Sequence, residues 1–419
     1  MHYTLRLAIL ISLLYFSFGE CQGYDTLSLT VHKADSMFLK GNLLLLSQTY
    51  SIGEKEALIL QAKAYPNPVI SANINAIDPQ NDRYFHAGPD GQKEFGIEQL
   101  LILGGKRKSN IAIARQVKSI AEKEFTDLLR NLRLQVHTSF FLLLKYNIVL
   151  SSYKHQLELL EELISSYEQQ AARGNLPVKD VIRLKSVHLR ISNNRMEILS
   201  SYLDEVRRLQ VMLRTNSQIR PVVSEQVFTS FRQAHGFDEL FDLAIANRPD
   251  FEIARQGRDL AAANLKLQRQ MAIPDLLVNS GYDQQGGAFK NQVQLGVSVP
   301  LPLWNRNKGN IKAASYNELN AEILIEQKRS EIHAEVQSAV DEMNAGILAY
   351  EKASALYTQD FDDVFRGVNE NFSRRNISIL EFVDFFEAYN ESLANFQRIR
   401  TQLALSAEQI NYVTGSPVY

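Results

Sequence analysis

The chain repeats its own plan after half its length. LILGGKRKSN at residues 101–110 and LPLWNRNKGN at 301–310 are both apolar runs that end in a basic, Asn-containing turn. At this offset of 200, Leu101, Leu103, Lys108, Asn110 and Ile111 match Leu301, Leu303, Lys308, Asn310 and Ile311. Upstream, AYPNPVISANIN (64–75) resembles AIPDLLVNSGYD (272–283), with Pro66 on Pro274 at an offset of 208. Downstream, RGNLPVKDVIRL (173–184) resembles RNISILEFVDFF (375–386), with Asn175 on Asn376 at an offset of 201. Three landmarks in the same order mark an internal duplication. The first change in offset falls in the loop DPQNDRYFHAGPDGQ.

Each copy reads in the same order. A helical lead comes first, Leu27 to Ala64 and Phe237 to Met271. Two strand-like runs follow, within about 66–104 and about 274–304. In QVQLGVSVPL, Val293, Leu295, Val297 and Val299 alternate with Gln292, Gln294, Gly296 and Ser298. In VISANINA, Ile70, Ala72 and Ile74 alternate with Ser71, Asn73 and Asn75. Two long helical stretches close each copy, about 107–172 with 176–215, and about 306–373 with 377–415. Ile332, Val336, Val340, Met343, Ile347, Tyr350, Tyr357, Phe361, Val364 and Val368 step mostly by four and three, the spacing of a coiled-coil seam. A helix of ~65 residues rises to ~100 Å, longer than a compact domain needs. The domains expected are a signal segment at 1–23, a first repeat at 24–236 and a second at 237–419.

The first 25 residues, MHYTLRLAILISLLYFSFGECQGYD, carry Arg6 and then an apolar run from Leu7 to Phe18. That run is short for a membrane span and reads as a secretory signal. Cleavage after Gly23 places the small residues Cys21 and Gly23 at the two selective positions. Lipidation at Cys21 ranks second, because Glu20 fits a lipoprotein site poorly. No other run of ~18 apolar residues follows, so no membrane helix is expected. The net charge of −2 points to no nucleic-acid partner.

Strands of about ten residues, apolar on one face and polar on the other, suit a soluble sandwich or an outer-membrane barrel. Alternation alone does not choose. Helix outweighs strand several-fold, so the strands do not form the core of a large soluble fold. Four strands per chain do not close a barrel, but three chains supply twelve, and threefold symmetry closes the ring. Trp304 then falls at a strand end, where an interfacial aromatic would anchor, although a lone core Trp is equally common.

With these landmarks the sequence resembles the TolC family of trimeric outer-membrane efflux ducts. PNP at 66–68 and SVPLPLWNRNKGNI at 298–311 resemble its CzcC-type branch, associated with heavy-metal efflux. The resemblance implies a mainly α chain with a small β part. Four strands per chain would join a shared twelve-stranded transmembrane barrel, and the long helices a periplasmic α-helical barrel. It implies a homotrimer in the outer membrane of a Gram-negative bacterium, in contact with lipid, a periplasmic adaptor and an inner-membrane pump of the resistance-nodulation-division type. Its cargo would be divalent heavy-metal cations, with drug efflux or type I secretion as the alternative. A periplasmic coiled-coil adaptor without a pore accounts for the helices and not for the strands.

The breaks between long helices are the candidate functional positions. Gly174, Asn175 and Leu176 form the first tip, and Arg375, Asn376 and Ile377 the second. Pro177 suits a first helical turn, and Asn376 is a candidate cap. By resemblance the tips are the periplasmic entrance and dock the adaptor. The family pattern places an acid six residues after a Gly. Asp180 fits it, and Glu381 fits it after Arg375, which replaces the Gly, with Asp384 three further on. In a trimer these acids make carboxylate rings that favour cations. Equally, acids in a first helical turn complement the helix dipole. GGKR lacks the ending of a phosphate loop. The eight His residues and the Met residues show no metal-ligand spacing. No catalytic arrangement and no cofactor site is legible.

Overall fold

The computed structural model describes residues 26–419 apart from 287, 358 and 359, and leaves out the side chains of 360 and 362. The expected signal segment and Cys21 lie outside the described residues. The chain forms two compact units, and neither follows the halves of the repeat. One holds residues 43–132, 235–342 and 409–419. The other holds residues 26–42, 133–234 and 343–408.

The first of these contains a four-stranded antiparallel sheet. Its strands are β2 (Val69–Ile74), β5 (Gln92–Leu101), β7 (Leu276–Gln285) and β8 (Phe289–Ser298), in the order β2-β5-β7-β8. The pairing register stacks Ala72, Phe95, Tyr282 and Val293 in one row, and Ile70, Ile97, Ser280 and Leu295 in another. Side chains alternate across a strand, so these rows share a face. Ile70 is 77% exposed and Leu295 79%. The opposite face carries Asn73, Glu94, Asp283 and Gln292 in one row and Ser71, Gly96, Gly281 and Gln294 in the next. The alternation expected from the sequence is therefore the alternation of the sheet.

The loop between β2 and β5 has structure of its own, a short pair formed by β3 (Ile77–Asp78) and β4 (Arg83–Tyr84). The Asp78 carboxylate accepts the N–H groups of Gln80 and Asn81 and the Asn81 side-chain amide, and lies 2.7 Å from His86 Nδ1. The Asn81 amide, then His86, hold its pKa down to about 2. Gln284 Nε2 donates to the carbonyls of Gly88 and Pro89 and ties the loop to β7.

The same unit holds α2 (Leu43–Lys63), α6 (Phe237–Asn247) and α7 (Pro249–Met271), with parts of three longer helices. These are α3 (Lys106–Ala172), α8 (Lys308–Leu356) and α10 (Ile379–Thr414). Pro249 at the first position of α7 sets the break after α6. Arg248, in that break, is 2% exposed at its side chain. It meets Asp250 at 2.7 Å and Glu335 of α8 at 2.5 Å, and donates to the Val413 carbonyl of α10. Burial alone would lower its pKa, but Asp250 and Glu335 raise it, so the cation persists. Arg130 of α3 joins the cluster, 3.5 Å from Asp250 and stacked on Tyr412.

The other unit contains β1 (Thr26–Leu29) paired in parallel with β6 (Gln218–Pro221), α1 (Val31–Gly41), α4 (Val178–Leu213), α5 (Glu225–Ser230) and α9 (Asp360–Ser373). The first three residues of the expected helical lead, Leu27–Leu29, are thus strand. Their hydrogen-bonding partner lies some 190 residues away, which no local pattern reports. The core runs along facing helices. Leu160, Leu184, Phe372, Phe382 and Phe386 are fully buried, and Phe372 stacks on Phe382 at 4.1 Å.

The coiled-coil seam holds in the first part of the expected helix. Ile332, Val336, Val340, Met343 and Ile347 are buried along α8. The stretch then divides into α8 and α9, and one seam position shifts. Val364 is 49% exposed and Phe365 takes the buried place, stacked on Tyr389 at 4.1 Å. Beyond the break Phe361 and Val368 of the expected seam still pack against the core, and only Val364 gives its place to the neighbouring Phe365.

A buried ionic triad links three helices of this unit. His137 of α3 lies 3.0 Å from Asp35 of α1 through Nε2 and 2.8 Å from Glu408 of α10 through Nδ1. Arg133 Nε is 3.6 Å from Asp35, and His32 also contributes positive charge there. Burial alone would lower the His137 pKa; hydrogen bonds to Asp35 and Glu408, and their charges, raise it to about 9. An unfolded His titrates near ~6.5. The stabilisation is therefore complete below ~6.5 and is lost as pH rises through about 9. We expect the thermal midpoint to fall between these values in the wild type, and the His137→Gln variant to show a flatter profile across that window. Superimposable profiles would show that the triad is not protonated in the folded protein.

Candidate functional site: the helix hairpin tips

The two tips close their preceding helices in the same way. In the first, the Gly174 N–H donates to the Ala171 carbonyl and the Asn175 N–H to Gln170. In the second, the Arg375 N–H donates to Phe372 and the Asn376 N–H to Asn371. This is the Schellman pattern, which needs a left-handed residue after the helix. Gly174 has φ +75° and Arg375 φ +63°. The loss of Gly at 375 noted in the sequence has not changed the backbone, which now holds an L side chain in a conformation costing roughly 1–2 kcal/mol.

The two Asn side chains also do equivalent work. Asn175 Nδ2 donates to Gln170 Oε1 at 2.9 Å, and Asn376 Nδ2 to Asn371 Oδ1 at 3.0 Å. Asn376 therefore closes the helix before it and does not cap the helix after it. That cap is Ser378. The Glu381 N–H donates to the Ser378 hydroxyl, and the Ser378 N–H donates to Glu381 Oε2 at 2.8 Å. This reciprocal Ser-x-x-Glu box satisfies two free N–H groups at the start of α10.

The predicted acids consequently differ in their surroundings. Glu381 is spent in part on the capping box, and the bond from the Ser378 backbone, then that from its hydroxyl, hold its pKa below the usual range. Asp180 lies half-buried in the first turn of α4, whose N-cap Pro177 offers no side-chain bond. Asp384 is exposed one turn into α10. Leu176 is half-buried, and Ile377 packs against the aromatic core. Tyr167, stacked on Phe372 at 5.4 Å, feels both Arg375 and Asp180, which places these two charges near one ring. Further ion pairs lace the hairpins: Lys185 with Glu168 at 2.6 Å, and Arg190 with Glu387.

The tips thus comprise two short, rigidly closed turns with aromatic packing beneath them and acids at the helix starts. Among the described residues no three His, Cys, Asp or Glu side chains form a group that could hold a metal ion. No helix among them is long and apolar enough to cross a membrane. The signals missed in the sequence were the Ser378–Glu381 box, written in plain spacing, and the buried triads, whose members are far apart along the chain.

The fold defines the class. Two strand hairpins in one sheet, with one apolar and one polar face, and two long helix hairpins per chain are those of a TolC-like duct protomer. Residues 240–353 match the family described as outer membrane efflux protein. The chain is 20% identical to the cobalt-zinc-cadmium resistance protein CzcC of Cupriavidus metallidurans, over 92% of this chain and 90% of that protein. It is 22% identical to the nickel and cobalt resistance protein CnrC of the same organism, over 71% and 70%. Among solved structures it resembles CusC, with a TM-score of 0.74, 16% identity and 96% of each chain covered. It also resembles the CmeC outer membrane channel of Campylobacter jejuni, with a TM-score of 0.73, 13% identity, and 92% and 85% covered.

Because the second tip already has the glycine-type backbone, the Arg375→Gly variant should raise stability by about 1 kcal/mol, through removal of left-handed strain. Ser378→Ala should cost about 1 kcal/mol, through loss of the cap. Denaturation midpoints of the two variants, measured in the same detergent, check both. A destabilised Arg375→Gly protein would mean that the guanidinium makes a contact worth more than the strain.

Proposed function

We propose that the protein is the outer-membrane duct of a tripartite efflux system and exports divalent heavy-metal cations. The observation that carries the duct is the sheet. Its apolar face is exposed along β2, β5 and β8 and half-buried along β7, and β2 and β8 are its outer strands, each paired on one side only among the described residues. Lipid covers such a face, and further strands must complete such edges. Three copies close twelve strands into a barrel, with the Glu94 and Asp283 face toward the pore.

The cargo reading rests on the resemblance to cobalt, zinc, cadmium and nickel resistance proteins. The duct is passive. An inner-membrane pump supplies energy, a periplasmic adaptor engages the tips, and the pump sets substrate choice. Asp180, Glu381 and Asp384, repeated by the threefold axis, place carboxylate rings at the entrance, where they favour cations over anions. The acids of the opposite barrel wall, Glu94 and Asp283, act in the same sense. A drug or protein export duct is the second reading, and the general fold serves it equally well.

Growth of a deletion strain across cobalt, zinc, cadmium, nickel, drugs and bile salts separates the two. Sensitivity to the divalent metals alone, restored by complementation, is the expected result; sensitivity to drugs alone would overturn the metal assignment and keep the duct. In planar bilayers the Asp180→Asn, Glu381→Gln, Asp384→Asn variant should shift the reversal potential toward lower cation preference. Gln at 381 preserves the capping box, so a lost channel would not be confused with lost selectivity. An unchanged reversal potential would assign these acids to the helix dipole alone.

A further inference from the structure

The duplication supplies its own control at the opening landmark. Position 104 of the first copy aligns with 304 of the second, and a glycine there faces a tryptophan. At Gly104, with φ +69°, an added Cβ would lie 2.9 Å from Ile273 Cδ1, so a side chain there would be strained in its backbone and would push Ile273 aside. At the matching position Trp304 is 94% exposed. The cations differ in the same way. In the first copy Lys106 is buried against Asp275 at 2.8 Å, and Arg107 donates to the Lys63 carbonyl and covers the Tyr65 ring. In the second, Arg306 and Lys308 are exposed, and neither forms an ion pair among the described residues. The first copy ties Lys106 and Arg107 to its own chain and leaves Lys108 exposed, whereas the second exposes both Arg306 and Lys308.

The second turn is held in place. The Asn307 N–H donates to Asn305 Oδ1, and Asn307 adopts φ +58°. Asn307 Nδ2 donates to the Gln268 carbonyl and side chain of α7, and Asn310 Nδ2 donates to Asn307 Oδ1. Arg306 Nε donates to the Pro302 carbonyl. These bonds fix a surface whose outward groups are apolar and cationic. The apolar stripe Val293, Leu295 and Val297 of β8 continues past the strand through Val299 and Leu301, and Leu303 and Trp304 follow, all exposed. The Leu303 N–H then donates to the Leu301 carbonyl and bends the chain. Arg306 and Lys308 follow directly. Lys308 also opens α8, whose first turn holds no acid, so the positive end of the helix adds to the cations.

We propose that residues 299–308 bind an anionic glycerophospholipid in the membrane leaflet at the helix-bearing end of the sheet. This rests on the duct reading. Leu301, Leu303 and Trp304 enter the acyl and interfacial layers, continuing the lipid face of β8, and Arg306 and Lys308 take the phosphate. The order apolar, aromatic, cationic is the order of a membrane interface read outward from its core. The two copies differ in consequence: the second turn holds lipid, and the first holds its own chain.

Retention of cardiolipin, against phosphatidylethanolamine, by detergent-purified wild type and variants, measured by native mass spectrometry, tests this. The wild type should keep cardiolipin preferentially. The Trp304→Ala, Arg306→Gln, Lys308→Gln variant should bind it roughly tenfold or more weakly, and Arg107→Gln, which removes a cation tied inside the chain, should match the wild type. Inorganic phosphate at high concentration should not displace the lipid. Equal cardiolipin retention by the triple variant and the wild type, both running as trimers, would overturn the lipid assignment and leave the duct intact. So would displacement by phosphate, which would mark a simple anion site. A wild-type chain extracted as a monomer without detergent would overturn the duct reading and this one with it.

Discussion

An apolar sheet face that the described residues leave largely uncovered is the constraint on which the rest of the structure depends. A strand hairpin satisfies only half of the hydrogen bonds of its outer strands, and exposed Ile, Val, Leu and Phe side chains along one face are costly in water. A membrane and further strands remove both costs together. The polar opposite face then has a wet side to turn toward. Glu94 and Asp283, level with each other on adjacent strands, tolerate their like charge only where water screens it.

The helices answer a different requirement. Long amphipathic helices gain from packing along seams, and their charged residues mostly stay at the surface. Two clusters depart from this pattern, Arg248 with Asp250 and Glu335 in one unit and Asp35 with His137 and Glu408 in the other. In each, a buried basic side chain meets carboxylates from two helices, although Glu335 itself reaches the surface. Breaking a buried pair leaves an uncompensated charge, so such clusters penalise sliding of one helix against another more sharply than apolar contacts do. They specify register where a seam of similar aliphatic side chains specifies little.

The comparison of the two copies shows how a duplicated sequence diverges under a shared backbone. At the tips the geometry persisted while the residue changed: Arg375 adopts the left-handed conformation that Gly174 adopts freely. At the strand ends the matching turns changed their use. Lys106 and Arg107 hold the chain together, whereas Trp304, Arg306 and Lys308 stand out from it.

The duplicated plan, the period-two strands, the long helices and the position of both tips were legible in the sequence, because each is a local period or a local turn signal. The capping box of Ser378 and Glu381 was legible as well, but alignment with Asn175 drew the cap to Asn376. Only the tertiary structure decided that Leu27–Leu29 pair with residues near 220, that the seam passes from Val364 to Phe365, and which acids and bases meet in the interior. Periodicity records which face of an element is apolar. It carries no record of which distant element supplies the partner, because that pairing is set by distances in space and not along the chain.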